Sequence, residues 1–231
     1  LLVLAALGMI SHRQAAAWRN SETFIARELA RVPENYRMHY YRGYLLANQG
    51  RDTEALAAFE RALGISPAFR DCRIMRARAL ARLGRADEAE EAYRGHLATR
   101  PRDGEAHYEL GILLMERGDE ERALAEYRMA AELRPRDARP RNNGGLLLLR
   151  RGEPAAAVEV LRRAVELEPG DYRMQINLAN ALAGVGRWPE AIDAAGAALA
   201  LAPADTHLPV TVRRLAARFL ERAGAHGDTE A

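Results

Sequence analysis

The sequence contains no lysine. All 34 of its basic residues are arginine, against 32 acidic ones, for a formal net charge of +2. Such a uniform cationic set is read most simply as a bias of codon usage. Arg and Glu alternate along the chain instead of gathering on one face, which argues against a nucleic-acid binder. Cysteine is nearly absent as well. With Cys72 alone, neither an intrachain disulfide nor a cysteine-rich zinc site can form, and the redox compartment stays open. No HExxH, GxSxG, P-loop or glycine-rich phosphate cradle occurs. The six histidines do not make a metal site by phase: His39 and His107 recur two repeats apart, which separates them by roughly 20 Å. These absences predict a chain without catalytic chemistry, cofactor or metal.

What is present is a folded, water-facing composition, 48% apolar and 29% charged, over 231 residues, enough for one large domain or two ordinary ones. A ruler is also written into it. Pro33, Pro67, Pro101, Pro135, Pro169 and Pro203 are each 34 residues apart, and Gly50, Gly84, Gly118, Gly152 and Gly186 keep the same step. So do Ala55, Ala89, Ala123, Ala157 and Ala191, and Leu46, Leu80, Leu114, Leu148 and Leu182.

Each column has a physical task. In the unit ending at Pro135, Asp103 suits the N-cap of a first helix, and Asp137, Asp171 and Asp205 share its phase. That helix is predicted to run to about Arg117, where Gly118 can adopt the left-handed conformation that ends it. A second helix follows from about Glu120 to Leu133, and Pro135 stops it. Small Gly111 and Ala123 allow the two helices to approach, with Leu114 and Tyr127 filling the space between them. One hairpin of this size cannot hide enough apolar surface to offset its ordering entropy, so neighbours must stack into a solenoid.

These columns resemble the tetratricopeptide repeat (TPR), W-x2-L-G-x2-Y followed by A-x3-F, a small residue and P. The resemblance spans Tyr36 to Pro203 as five repeats, about 36–69, 70–103, 104–137, 138–171 and 172–205. Its second half is close: Ala55 with Phe59, Ala89 with Tyr93, Ala123 with Tyr127, Ala157 with Leu161. Its first half departs, with His39, Arg73, His107, Arg141 or Gln175 at the bulky position and Arg42, Arg76 or Gly144 at the next apolar one. The resemblance implies an all-α, right-handed TPR superhelix (α-solenoid). An N-terminal half-repeat helix within 14–35, a capping helix over 206–224 and a frayed tail at 225–231 complete it. In repeat four, Pro140, Asn142, Asn143, Gly144 and Gly145 are weak helix formers, which predicts a loose first helix that flexes.

TPR proteins hold protein or peptide ligands in a concave groove lined by the first helices. Transferred position by position, that lining is Tyr40, Tyr41 and Tyr44; Ile74, Met75, Arg78 and Arg82; Tyr108, Glu109, Ile112 and Glu116; Arg139, Asn142, Asn143 and Arg150; and Arg173, Ile176, Asn177 and Asn180. The candidate binding residues are Tyr40, Tyr41, Tyr44, Arg78, Arg82, Arg139, Asn143, Arg173, Asn177 and Asn180. The tyrosines offer an aromatic anchor, with the alternative that Tyr40 and Tyr44 only pad the contact with the preceding half-repeat. Only Asn143 and Asn177 keep the phase of an asparagine ladder, whose amides suit an extended peptide backbone, while Tyr41, Met75 and Glu109 break it. The alternative is generic asparagine usage at that phase; arginines suit a carboxylate. The spacing of a carboxylate clamp is not reproduced. The expected partner is a protein or extended peptide, with no nucleic acid; the oligomeric state stays open.

The chain opens with LLVLAALGMI at 1–10, which as a helix would extend about 15 Å, half of a bilayer's hydrocarbon core. Three readings stand: residues 1–13 are the end of a transmembrane helix, a signal-peptide core with a cleavage site at 15–17, or an apolar helix docked on the repeats. Trp18, Arg19, Ser21, Glu22, Thr23 and Pro33 resemble the junction in membrane O-mannosyltransferase-like proteins that carry TPRs after their last span. That resemblance implies the C-terminal part of a bacterial membrane protein, extracytoplasmic by the family and cytoplasmic by the charges of Arg13 and Arg19. It also implies the alternative of a substrate-handling module for a membrane glycosyltransferase.

Overall fold

The computed structural model describes residues 21–202. The apolar segment 1–13, the start of the half-repeat, Asp205, the capping helix at 206–224 and the tail at 225–231 lie outside the described residues. Within them every regular element is a helix. Helix α1 covers 21–31. Five helix pairs follow: α2 (Tyr36–Asn48) with α3 (Asp52–Ile65), α4 (Arg70–Arg82) with α5 (Ala86–Thr99), α6 (Gly104–Glu116) with α7 (Glu120–Leu133), α8 (Ala138–Arg150) with α9 (Pro154–Leu167), and α10 (Tyr172–Gly184) with α11 (Trp188–Leu201). Tertiary contacts divide the chain into two compact units, one ending at Pro101 and one beginning at Arg102. The fold class is the all-α solenoid of helix pairs that the periodicity predicts and the TPR resemblance implies.

The turn inside each pair is set by its glycine. Gly50, Gly84, Gly118, Gly152 and Gly186 all have φ between 72° and 81°, the left-handed region that a side chain disfavours. The next amide then reaches back to close the helix: Arg51, Arg85, Asp119, Glu153 and Arg187 donate to the carbonyls of Leu46, Leu80, Leu114, Leu148 and Leu182 at 2.9–3.0 Å. Four of the five first helices start on side-chain caps, α4 being the exception with Phe69 at its N-cap. Asn35, Asp103, Asp137 and Asp171 each accept from a backbone N–H of the first turn.

Packing within a pair depends on small residues facing large ones. The alanine column is fully buried. A Cβ on Gly43 would sit 2.5 Å from the Phe59 ring, one on Gly111 2.8 Å from Tyr127, and one on Gly145 2.4 Å from Leu161. The unit ending at Pro101 buries Phe59, Leu80 and Tyr93, and it encloses Cys72, whose thiol donates to the Phe59 carbonyl at 3.4 Å. Burial pushes that thiol up to about 12, so it stays neutral and unreactive. The other unit buries Leu110, Leu114, Tyr127, Leu147, Leu148, Leu161 and Leu182.

Three of the five polar residues at the bulky first-helix position share a task that the sequence does not announce, while His107 pairs with Glu126 instead. His39 Nε2 donates to the Pro33 carbonyl at 2.8 Å, Arg73 to that of Pro67 at 2.8 Å, and Arg141 to that of Pro135 at 3.3 Å. Proline provides no N–H, but its carbonyl still needs a donor, and each staple reaches six residues back to supply one. Helix α8 is unbroken despite its composition. Pro140 lies in its first turn, where a missing N–H costs little, and Gly145 meets the close approach of Leu161, while Gly144 is buried without such a contact.

Candidate functional site

In the unit ending at Pro101, α2 carries the three tyrosines. Tyr40 is half-buried, with its ring 5.1 Å from Phe69, 6.1 Å from Phe59 and 5.5 Å from Tyr41, and burial raises its phenol above the ordinary value. Its ring neighbours are Phe59 of α3 and Phe69 at the start of α4, so it belongs to the packing between its own pair and the next. Tyr41 and Tyr44 are 50% and 46% exposed and present their rings to water. On α4, Ile74 and Met75 are half-buried, and Arg78 approaches the Met75 sulfur at 3.9 Å. Arg82 is engaged elsewhere: it donates to the Ala47 carbonyl at 2.9 Å and stands 3.1 Å from Asp52, tying α4 to the preceding pair.

In the unit beginning at Arg102, the first helices α6, α8 and α10 share a chain of hydrogen bonds. Asn177 donates to Asn142 Oδ1 at 2.8 Å, Asn142 donates to Asn143 Oδ1 at 3.5 Å, and Asn143 donates to the Tyr108 hydroxyl at 3.2 Å. All three amides are half-buried. They hold one another in register, and Asn143 is tied to the Tyr127 phenol as well. Tyr108 is buried, which raises its phenol, and the Arg139 guanidinium lies 4.9 Å from its ring centroid. Arg139 also bonds both oxygens of Asp137, and its NH2 is 3.3 Å from Glu105. Burial pushes the Asp137 carboxyl up, but the Arg139 hydrogen bonds and the charge of Arg134 outweigh it and leave the carboxyl below its ordinary value.

The remaining lining residues differ in availability. Glu109, Ile112 and Ile176 are half-buried, and Glu116, Arg173 and Asn180 are exposed. Arg173 leans on Tyr172, donating to its hydroxyl at 3.3 Å. Arg150 repeats the Arg82 arrangement, 3.0 Å from Glu120 across the same thirty-residue step. Thus Asn143 and Asn177 do belong to one network, and Tyr108 and Asn142, which stand outside the candidate binding residues, are its end and its middle. A sequence signal existed: Tyr108–Asn143 and Asn142–Asn177 are each spaced by 35 residues, one more than the period.

Comparison with known proteins agrees with this architecture. The tetratricopeptide repeat family model matches residues 12–68, 74–138 and 143–206, and the chain belongs to that family. The chain is similar in structure to YrrB, described as "a TPR protein with an unusual peptide-binding site", at 19% identity and a TM-score of 0.65, covering 82% of this chain and 97% of that one. It is also similar to TTC0263, a thermophilic TPR protein of Thermus thermophilus, at 28% identity and a TM-score of 0.55, covering 80% and 98%. Yeast Tom70 matches at 20% identity with a TM-score of 0.67, covering 87% of this chain and 43% of that one. No curated protein matches the sequence.

Proposed function

We propose that this chain is a non-catalytic scaffold that binds protein or extended peptide on the faces of its first helices. The observation that carries the reading is the Asn177–Asn142–Asn143–Tyr108 network. Half-buried amides on two successive first helices, joined to a phenol on a third and with Arg139 and Arg173 beside them, match the alternating donors and acceptors of a peptide backbone and a carboxylate on it. In the other unit, the exposed Tyr41 and Tyr44 rings supply apolar anchors at low entropic cost, and Arg78 stands on the next first helix. A relative whose own description is a peptide-binding TPR protein supports the same reading.

The test is a peptide selected by display against the whole chain, with affinity measured by calorimetry. Asn143→Ala with Asn177→Ala, or Tyr41→Ala with Tyr44→Ala, is expected to weaken it by about tenfold, or 1.4 kcal/mol, while the helical spectrum is unchanged. Full affinity in both double variants overturns the proposed faces.

Attachment to a bacterial membrane through residues 1–13 is part of the proposal and rests on the apolar decamer. Among the described residues no helix is long and apolar enough to cross a membrane. The alternative of a substrate-handling module for a membrane glycosyltransferase rests on the junction around Trp18 and Thr23. Extraction of the native protein by carbonate wash would overturn the tether.

A further inference from the structure

Helix α8 faces two ways. At 3.6 residues per turn, Asn142, Asn143 and Arg150 occupy one side, and Arg141, Gly144 and Leu148 the opposite one. On that second side α8 forms the floor of a cleft of about 340 Å³, walled by Leu124 and Tyr127 of α7 and Val160 of α9. The cleft exists because one side chain is missing. The equivalent residues Leu110 and Leu178 are buried, at 2% and 7% exposure, and Arg42 and Arg76 bring long stems to the same phase. Gly144 brings nothing. A Cβ there would stand 3.7 Å from Tyr127 and 3.8 Å from Leu124, ordinary contact distances, so the backbone tolerates the start of a side chain at this position. By contrast the close approach at Gly145 requires glycine. A glycine inside a helix and an unfilled apolar cleft both cost stability, and packing does not demand the first.

The mouth is biased toward anions. Arg128, Arg141 and Arg163 stand on it with Glu132 and Glu159. Arg141 gives its N–H groups to the carbonyls of Ala131, Pro135 and Asp137, and Arg163 reaches Glu166 at 2.6 Å. Burial, and then the charge of Arg163, lowers the Arg141 guanidinium. A carboxylate between the two would relieve that repulsion.

We propose that the Gly144 cleft is a second docking site, taking a leucine-sized side chain of a partner protein whose adjacent carboxylate meets Arg141 and Arg163. It lies on the opposite side of α8 from the asparagine network and goes beyond the peptide-binding reading; neither depends on the other. The probe is N-acetyl-L-leucine, titrated into the isotope-labelled full chain by NMR. Saturable shifts are expected at the Gly144 and Gly145 amides, and the uncharged N-acetyl-L-leucinamide is expected to bind about fivefold more weakly. Gly144→Leu is expected to abolish the shifts and raise the melting temperature, since it restores the residue of two sister repeats. If that variant fails to fold, Arg163→Gln is expected to weaken the acid probe while leaving the amide probe unchanged. No saturable shift, an undiminished response in Gly144→Leu, or equal affinity for acid and amide overturns the proposal.

Discussion

The unit ending at Pro101 and the unit beginning at Arg102 use one frame and fill it differently. At the phase where the second carries Leu110, Gly144 and Leu178, the first carries Arg42 and Arg76. Its first helices expose aromatic rings, Tyr41 and Tyr44, over a packed Tyr40, whereas those of the second present amides on α8 and α10 joined to the Tyr108 phenol of α6. The frame is indifferent to these choices because it rests on the glycine turn, the alanine column and the small-to-large contact. One unit offers shape and apolar area; the other offers directional hydrogen bonds.

The sharpest way to break that comparison is to attack the shared contact. Gly43→Val in one unit and Gly145→Val in the other each force a Cβ into a ring or a leucine at 2.4–2.5 Å, and each is expected to cost about 3 kcal/mol in urea unfolding. A loss confined to one unit would show that the frame is not shared. The alkaline limb comes next. Cys72 in the first unit and Tyr127 in the second are both raised to about 12 by burial. The unfolded chain ionises these groups sooner than the folded one, so stability is full below pH 9 and falls as pH rises toward 12. Cys72→Ala is expected to flatten that fall in part, leaving the contribution of Tyr127; an unchanged alkaline profile in chemical denaturation refutes the assignment. Tyr108→Phe removes the acceptor of Asn143 and is expected to cost about 1 kcal/mol, with no counterpart when the exposed Tyr44 is changed to Phe. The smallest effect belongs to the matched ties: Arg82→Ala and Arg150→Ala are each expected to cost less than about 1 kcal/mol and to do so less at high salt. Arg82 should be the larger, since it also serves a backbone carbonyl.

Much of this was legible beforehand. The helix over Glu120–Leu133 has the ends read from its spacing, and Asp103, Asp137 and Asp171 cap as their phase implied. These are local decisions, taken by a turn residue or a cap within a few positions of itself. The candidate site was legible only as a set of phases. Tyr40 and Tyr44 lie on the same helix four residues apart, yet one packs under Phe69 and the other meets water. Arg82, a candidate binding residue by phase, is held by Asp52 and Ala47.

The sequence by itself determined the period, the turns, the caps and the all-helical class, because each follows from backbone preferences and short-range spacing. Only the tertiary structure decided which polar side chains satisfy one another and which remain available. It turned the out-of-pattern His39, Arg73 and Arg141 into staples on proline carbonyls, and it joined Asn177 to Tyr108 through two intervening amides. The physical reason is range. A turn is settled by dihedral preference at one residue, whereas the fate of a hydrogen-bonding group depends on what another helix brings within about 3 Å of it.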